Sequence, residues 1–243
     1  IRTLLHEQNF YPGIANRTLG IFADKIAVSF RDTLGRFPAR KTFYTGNPVR
    51  ASLFTRVDGE KKHKKYSLDG SKFTVLVFGG SQGARAINSL IMESLKLLAE
   101  KKSGLQFLHV AGENDYERVK GMYEESGFQS SVFSYLDEMG EAYAISDLII
   151  SRAGATTIAE LKYFDVPAIL IPYPHATNDH QYHNAMAFLK EGGSGEIIRE
   201  NILTPEILAQ RIENYLNRRI KKSVKKPSPL PQQILAEEIM KYT

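Results

Sequence analysis

The sequence contains no cysteine, which excludes disulfide bonds and thiolate metal sites and favours a reducing cytoplasm. No apolar run approaches the roughly 18 residues that a membrane-spanning helix requires, and no signal peptide is recognisable. The 243 residues are 42% hydrophobic and 24% charged, a globular composition that allows one large domain or two modest ones. Because the sequence begins at Ile1, we expect it to start partway into a longer protein.

Basic residues outnumber acidic ones, giving a net charge of +5 and a pI of about 9.2. Two clusters carry much of the excess: Lys61, Lys62, Lys64 and Lys65, and then Arg218, Arg219, Lys221, Lys222, Lys225 and Lys226. Such clusters are typical of solvated surfaces, and the alternative is attraction to an anionic membrane surface or a phosphate-rich ligand. No basic stripe is interleaved with aromatic residues, so the pattern does not favour nucleic acid as a partner.

Strands and helices are predicted to alternate from residue 73 onward. Apolar runs predict strands at 73–78, 105–110, 131–135, 147–150, 167–171 and 196–198. The segments between and after them predict helices at 87–98, 114–125, 137–146, 155–165, 180–191 and 205–216, the last with Thr204 as its N-cap. This alternation indicates a doubly wound parallel sheet, which binds ligands at the carboxyl ends of its strands.

The first 45 residues have a different pattern, with strands predicted at 25–28 and 42–45 and a helix near 13–22. Two strands and one helix cannot close a core, so we expect them to be the tail of a preceding α/β domain. We therefore divide the chain into an N-terminal remnant (1–46), a C-terminal domain (47–226) and a final segment (227–243). We expect the helix of that segment to pack back on the N-terminal remnant.

A glycine-rich junction, Phe78-Gly-Gly-Ser-Gln-Gly-Ala-Arg85, joins the first long strand to a helix. Small residues let the backbone approach a ligand, and the helix N-terminus offers free N–H groups that suit phosphate. The dinucleotide fingerprint fails here, because its third position is Ser81 or Gln82, and no Walker Lys-Ser or Lys-Thr is present. The stretch therefore indicates a phosphate or sugar loop of another type, or only a tight turn.

A second junction, Ser151-Arg-Ala-Gly-Ala-Thr-Thr-Ile-Ala-Glu160, follows another strand. Side chains lean toward the N-terminus of a helix, so Glu160, four residues after Thr156, is predicted to point back into the pocket. A carboxylate there accepts two hydrogen bonds, which matches the two hydroxyls of a ribose. The alternative is an acid that only stabilises its own helix.

Two further polar stretches lie at predicted strand ends. Residues 172–182 carry His175, Asp179, His180 and Gln181. Neutral donors and acceptors such as Gln181 suit sugar hydroxyls. The histidine spacing does not form a metal-binding pair on one helix face, so no metal is expected. The stretch His6-Glu-Gln-Asn9 directly follows an apolar, strand-like pair and is also a candidate site.

Taken in this order and at this spacing, six of these runs resemble the MurG family: HEQN, TGNPVR, FGGSQGAR, YLDEM, SRAGATTIAE and HQYHNA. The resemblance extends from about residue 4 to the end. It implies an α/β glycosyltransferase of the GT-B type, with two Rossmann-like domains of which the N-terminal one is present only in part. Such enzymes transfer N-acetylglucosamine, with inversion, from UDP-N-acetylglucosamine to lipid I, giving lipid II. No cofactor is implied, and the location would be peripheral, at the cytoplasmic face of the membrane.

The resemblance also implies roles for individual residues. Leu136 would hold the uracil through its backbone, and Glu160 would accept hydrogen bonds from the ribose. Ser81 and Gln82, with the turn at Gly80, would hold the diphosphate. The other implied donor-site residues are Asn9, Arg50, Arg152, Ala155, Thr156, Thr157, Ile158, Ala159, His180 and Gln181.

The acceptor side is less complete in this sequence. His6 is a candidate catalytic residue near the acceptor, but the family's glycine-rich loop, which carries a histidine thought to be the base, is not found. We therefore expect residues 1–243 to bind the donor and to transfer weakly or not at all. The alternatives are another GT-B UDP-sugar transferase, a non-catalytic UDP-sugar-binding module and, least favoured, a dinucleotide-dependent oxidoreductase.

Overall fold

The computed structural model describes residues 1–54, 63–80, 83–218, 224 and 229–241. These residues form two parallel sheets covered by helices. Within the described ranges, none of the helices is both long enough and apolar enough to cross a bilayer.

The N-terminal sheet has three parallel strands in sequential order: β1 (Leu4–Glu7), β2 (Lys25–Val28) and β3 (Thr42–Tyr44). Helix α1 (Ile14–Phe22) connects β1 to β2. The strands at β2 and β3 were predicted, but the prediction that His6 and Glu7 follow the first strand was wrong. Both belong to β1, because the parallel ladder continues to the pair Glu7–Val28.

The C-terminal sheet has six parallel strands: β4 (Phe73–Phe78), β5 (Leu105–Val110), β6 (Gln129–Phe133), β7 (Leu148–Ser151), β8 (Ala168–Leu170) and β9 (Gly195–Ile197). Their spatial order is β6-β5-β4-β7-β8-β9, so the winding reverses between β4 and β7. Among the described residues, the helices that accompany this sheet or follow it include α2 (Arg85–Leu97), α3 (Tyr116–Ser126), α4 (Met139–Ile145), α5 (Ala155–Leu161), α6 (His180–Lys190), α7 (Pro205–Leu216) and α8 (Pro231–Met240). The crevice at such a reversal is where open α/β sheets bind ligands.

The core lies on both faces of the central strands. All six residues of β4 and all six of β5 are buried, as expected for parallel strands between two helical layers. The predicted strands and helices of this domain are confirmed, with ends that differ by a few residues. The predicted cap of α7 is confirmed, since the Thr204 hydroxyl accepts a hydrogen bond from the Ile207 amide at 3.3 Å, and Pro205 begins the helix.

Contacts join the C-terminal elements to the first sheet. In α8, Glu238 lies 3.6 Å from the Lys25 ammonium of β2. At the end of α6, the Lys190 ammonium contacts the Asp32 carboxylate at 2.6 Å. The division at residues 46 and 226 stays a prediction.

Candidate functional site

A cavity of about 670 Å³ opens at the crevice between β4 and β7. Both sheets contribute to its wall. The lining residues are Gln8, Asn9, Pro48, Val49, Arg50, Ser52, Leu53, Phe78, Gly80, Val110, Tyr135, Leu136, Asp137, Glu138, Met139, Gly140, Tyr143, Gly154, Ala155, Thr156, Thr157 and Glu160. A second cavity of about 500 Å³ shares Gly80 with the first, so the two form one cleft along the strand ends.

Glycines bring the backbone close to this cleft after β4. Gly80 has φ +101° and Gly83 has φ +75°, a region that L side chains rarely adopt. A Cβ atom on Gly79 would lie 2.2 Å from the Ala84 nitrogen, and one on Gly83 would lie 2.3 Å from the Ala111 carbonyl oxygen. The chain can therefore turn this tightly only with glycine at these positions. Ser81 and Gln82, the predicted diphosphate contacts, lie outside the described residues.

The N-terminus of α5 also faces the cleft. Gly154 is its N-cap and has no side chain to bind the first amides, and Ala155, Thr156 and Thr157 line the cavity. Backbone N–H groups in a first turn have no partner within the helix and attract anions. Ile158 and Ala159, two other predicted contacts, are buried in the core.

Glu160 lies in the last turn of α5, and its carboxylate is hydrogen-bonded to a tyrosine. The Tyr143 hydroxyl donates to Glu160 Oε2 at 2.7 Å. Burial raises the pKa of Glu160, while the bond from Tyr143 and the charge of Arg50 act to lower that pKa. Because one oxygen is engaged by Tyr143, the other is available to accept from a ligand in the cavity. Sequence reasoning missed Tyr143, whose apolar surroundings are those of an ordinary core aromatic.

Arg50 and Leu136 also line the first cavity. Leu136 is 8% exposed, so its backbone rather than its side chain is suited to contact a ligand. The Arg50 guanidinium is largely exposed, with the Asp137 carboxylate 3.6 Å away. Met139, which begins α4, lines the wall beside them.

Gln181 lies in the second cavity with its orientation determined by the backbone. Its Oε1 accepts from the Ala153 amide at 3.2 Å and from the Tyr173 amide at 3.0 Å. Two N–H donors require the oxygen at that position, so the NH₂ group is the part left to bind a ligand. His180, the neighbouring prediction, is not among the described residues that line either part of the cleft, and its Nδ1 contacts the Thr177 carbonyl at 2.9 Å.

Arg152 lines the same cavity, but its charge is already paired. Its guanidinium forms an ion pair with Glu200 and donates to the carbonyls of Ile171 and Pro172 at 3.2 and 3.3 Å. The side chain is only 8% exposed. Its contribution to the cleft is therefore to hold the ends of β7 and β8 together as well as to supply a partly neutralised positive charge.

Asn9 reaches the cleft from the N-terminal sheet and is held by a buried asparagine. Asn184 Oδ1 accepts from the Phe10 amide at 2.9 Å, which orients its NH₂ toward Asn9 Oδ1 at 3.1 Å and the Ala153 carbonyl at 3.3 Å. With its oxygen occupied, Asn9 presents its NH₂ as a donor. Sequence reasoning did not find Asn184, whose partner Asn9 is 175 residues away.

His6 is not among the described residues that line the cleft. Its Nε2 lies 3.2 Å from both the Gly46 carbonyl and the Ser29 hydroxyl. Burial lowers its pKa, so the ring is neutral at neutral pH. A neutral ring that donates to Gly46 through Nε2 keeps its lone pair on Nδ1. The adjacent Glu7 is buried and accepts from Asn9, Gly13 and Asn16, which makes it a structural residue of the turn.

The comparisons with known proteins agree with this geometry. Residues 74–237 match the model of the glycosyltransferase family 28 C-terminal domain. A UDP-N-acetylglucosamine--N-acetylmuramyl-(pentapeptide) pyrophosphoryl-undecaprenol N-acetylglucosamine transferase from Geobacter sulfurreducens is 44% identical over 217 residues. The transferase of the same name from Myxococcus xanthus is 40% identical over 241 residues. These matches cover 89% and 98% of the chain, which spans 58% and 61% of the two relatives' own lengths.

Solved structures share the architecture. The crystal structure of MurG from Acinetobacter baumannii superposes with a TM-score of 0.73 at 29% identity, covering 99% of this chain and 68% of that one. A UDP-GlcNAc 2-epimerase from Neisseria meningitidis, at 14% identity and a TM-score of 0.65 over 95% of this chain and 65% of that one, shares the fold alone. The fold is thus the α/β fold of GT-B glycosyltransferases, and the chain belongs to glycosyltransferase family 28, whose C-terminal domain it carries.

Proposed function

We propose that this chain binds UDP-N-acetylglucosamine and is part of an enzyme that transfers N-acetylglucosamine to lipid I, giving lipid II with inversion. One observation carries the proposal. The Tyr143-held carboxylate of Glu160 lies in the same cavity as the uncapped N-terminus of α5, at the crevice where β4 and β7 diverge. A carboxylate acceptor beside free amides matches a ribose attached to a diphosphate. The names of the Geobacter and Myxococcus relatives supply the substrates.

The available groups have complementary roles in this proposal. Glu160 accepts from the ribose, while the backbone of Leu136 binds the uracil. Amides at the start of α5, amides at the start of α2 beside Gly80, and the charge of Arg50 face the diphosphate, which gains negative charge as the glycosidic bond breaks. Asn9 and Gln181 each present an NH₂ group, and these donors suit the hydroxyl and carbonyl oxygens of the sugar. The acceptor hydroxyl then requires a base, which we expect from the family's N-terminal loop rather than from His6, since His6 is not among the described residues that line the cleft.

The acceptor is a lipid, so we place the reaction at the cytoplasmic face of the membrane. Anionic lipid would attract the basic clusters of the chain. Most of the lysines and arginines of those clusters lie outside the described residues. Lys65 is described, and its ammonium pairs with Glu141 at 2.7 Å.

Calorimetric titration with UDP-N-acetylglucosamine, UDP-glucose and a GDP-sugar tests the donor assignment. We expect the first ligand to bind tightest and the GDP-sugar to bind weakest. Glu160→Ala should cost about 1–3 kcal/mol of binding free energy, because the ribose hydroxyls lose their acceptor. Glu117→Ala, an exposed acid on α3 away from the cleft, is the matched control and should leave affinity unchanged. Equal binding of all three ligands, or unchanged affinity in Glu160→Ala, would refute the assignment.

A transfer assay with lipid I separates an enzyme from a binding module. Radiolabelled N-acetylglucosamine appearing in the lipid fraction supports the transferase. Donor binding that is never followed by transfer, even in the longest natural form of the protein, would instead support a non-catalytic UDP-sugar-binding module.

A further inference from the structure

A network of hydrogen-bonded, buried polar side chains extends from α3 through β5 to the first turn of α2. Its members are Tyr123 on α3, His109 on β5, Asn88 on α2 and Asp115. The side chains of His109 and Asn88 are fully buried. Buried polar groups cost free energy unless they are hydrogen-bonded, so each side chain of this network needs a hydrogen-bond partner.

The partners determine the direction of every hydrogen bond. Asn88 Nδ2 donates to the Asp115 carboxylate at 2.7 Å and to the Ala111 carbonyl at 2.9 Å, because neither of those oxygens can donate. Asn88 Oδ1 must therefore accept from His109 Nε2 at 3.0 Å. Burial lowers the pKa of His109 to about 3, so the ring is neutral and its Nδ1 accepts from the Tyr123 hydroxyl at 3.1 Å.

This network ends at Asn88, near the glycine-rich turn that lines the cleft. Asn88 lies one turn into α2, whose N-cap Ala84 makes no side-chain capping bond. The Ala111 carbonyl that Asn88 binds is also the atom that a Cβ on Gly83 would approach to 2.3 Å. One carbonyl therefore accepts from the side-chain amide of Asn88 and lies close to the backbone of Gly83. This contact joins α2 to the residue that follows β5, beside the apolar packing of Ile87 and Ile91.

We propose that His109 is a positioning residue for the phosphate-binding end of α2, acting through Asn88 and the Ala111 carbonyl. The assignment rests on the proposed function, since it takes the diphosphate of the donor as the ligand of that end. His109 orients Asn88, and Asn88 holds the first turn of α2 against the end of β5. The backbone N–H groups of that turn then point at the phosphates without reorganisation when the ligand binds.

A purely structural role makes a different prediction. Hydrophobic residues of similar size often fill a core as stably as a buried polar network. If His109 only filled space, its replacement would affect uridine and UDP alike. If it positions α2, the loss must fall on the phosphates, because the proposed function places the uridine part of the donor at Leu136 and Glu160, which line the first cavity.

The experiment measures dissociation constants for UDP by calorimetry and for uridine by NMR titration. His109→Phe keeps an aromatic ring but removes the donor to Asn88, and it should weaken UDP by about five- to tenfold. Uridine affinity should change by less than about twofold, since no phosphate is present. His109→Gln, which retains an N–H donor, should restore most of the UDP affinity. Ser94→Ala is the matched control, because it removes a buried hydroxyl from the other end of α2 that binds the Leu90 and Pro205 carbonyls and not His109 or Asn88.

Equal losses for UDP and uridine in His109→Phe, or an equal loss of UDP affinity in Ser94→Ala, would overturn the proposal. Nitrogen NMR of the unmodified chain tests it without any substitution: the proton must reside on Nε2 at neutral pH, and a proton on Nδ1 refutes the relay. An unmodified chain that binds no UDP would overturn the proposed function together with this assignment. UDP binding that His109→Phe leaves unchanged would overturn only the role of His109.

Discussion

Removing the Tyr143 hydroxyl should weaken UDP binding and change its dependence on pH. Tyr143 donates to Glu160 Oε2 at 2.7 Å, and its ring is fully buried. Tyr143→Phe keeps the ring and removes only the donor. The remaining carboxylate loses its fixed orientation toward the cavity, and a favourable contact with its charged form disappears.

The magnitude follows from the chemistry of that bond. A hydrogen bond to a charged group contributes about 1.5–3 kcal/mol. Part of this interaction is present with and without ligand, so the loss in binding should be about 1 kcal/mol, or roughly fivefold in affinity.

The pH dependence has a definite sign. Burial raises the pKa of Glu160, and the bond from Tyr143 opposes that rise. In the unmodified chain, UDP affinity should fall as pH drops through this raised pKa, because a protonated carboxyl is a poorer acceptor for two hydroxyls. In Tyr143→Phe the pKa is higher still, so the fall in affinity should begin at a higher pH.

Calorimetry across the acid-to-neutral range, with UDP and 2′,3′-dideoxy-UDP, checks this reasoning. The dideoxy ligand has no ribose hydroxyls, so both proteins should bind it with the same affinity and little pH dependence. Identical pH profiles for the two proteins with UDP would refute the reasoning. A loss of the same size with the dideoxy ligand would show that Tyr143 acts through packing.

Three further substitutions have expected outcomes. Glu160→Gln should raise the free energy of unfolding at neutral pH and weaken UDP binding about tenfold or more. Burial raises the pKa of the Glu160 carboxyl, so its charged form lowers the stability of the fold once the pH is above that pKa. The uncharged amide of glutamine does not carry this cost. Asn184→Ala should lower the free energy of unfolding by about 1–3 kcal/mol in denaturant titrations, because the Phe10 amide loses its acceptor. Gly140→Ala should cost about 1–3 kcal/mol and weaken UDP, because its Cβ would lie 2.3 Å from the Leu53 carbonyl oxygen in the cavity wall.

Gly104→Ala is the control for Gly140→Ala, because it places a Cβ in open space and should change neither stability nor affinity. A lower free energy of unfolding for Glu160→Gln at neutral pH would contradict the inference that burial of the charged Glu160 carboxylate destabilises the fold. Full stability in Asn184→Ala would show that the Phe10 amide finds another acceptor.

The sequence alone determined the alternation of strands and helices between residues 73 and 216. Strands buried on both faces are continuous apolar runs in the sequence. A helix cap such as Thr204 accepts a hydrogen bond from an amide only three residues away. These are local signals, so they are visible without a fold. Two wall residues of the cleft could also be predicted: Gly80 because it comes just after a buried strand, and Glu160 because it lies four residues after Thr156 on the same face of a helix. The MurG resemblance then suggested a ligand for them.

Only the tertiary structure decided which atoms of those residues remain available. Within the part of the chain that the structure describes, one oxygen of Glu160 stays available because Tyr143, 17 residues away, binds the other. Gln181 and Asn9 present NH₂ groups because backbone amides and Asn184 take their oxygens. Arg152, which the sequence presents as a free positive charge, is paired with Glu200. Residue type and spacing along the chain indicate where a site lies, but a side chain's free donors and acceptors depend on partners that only folding brings into contact.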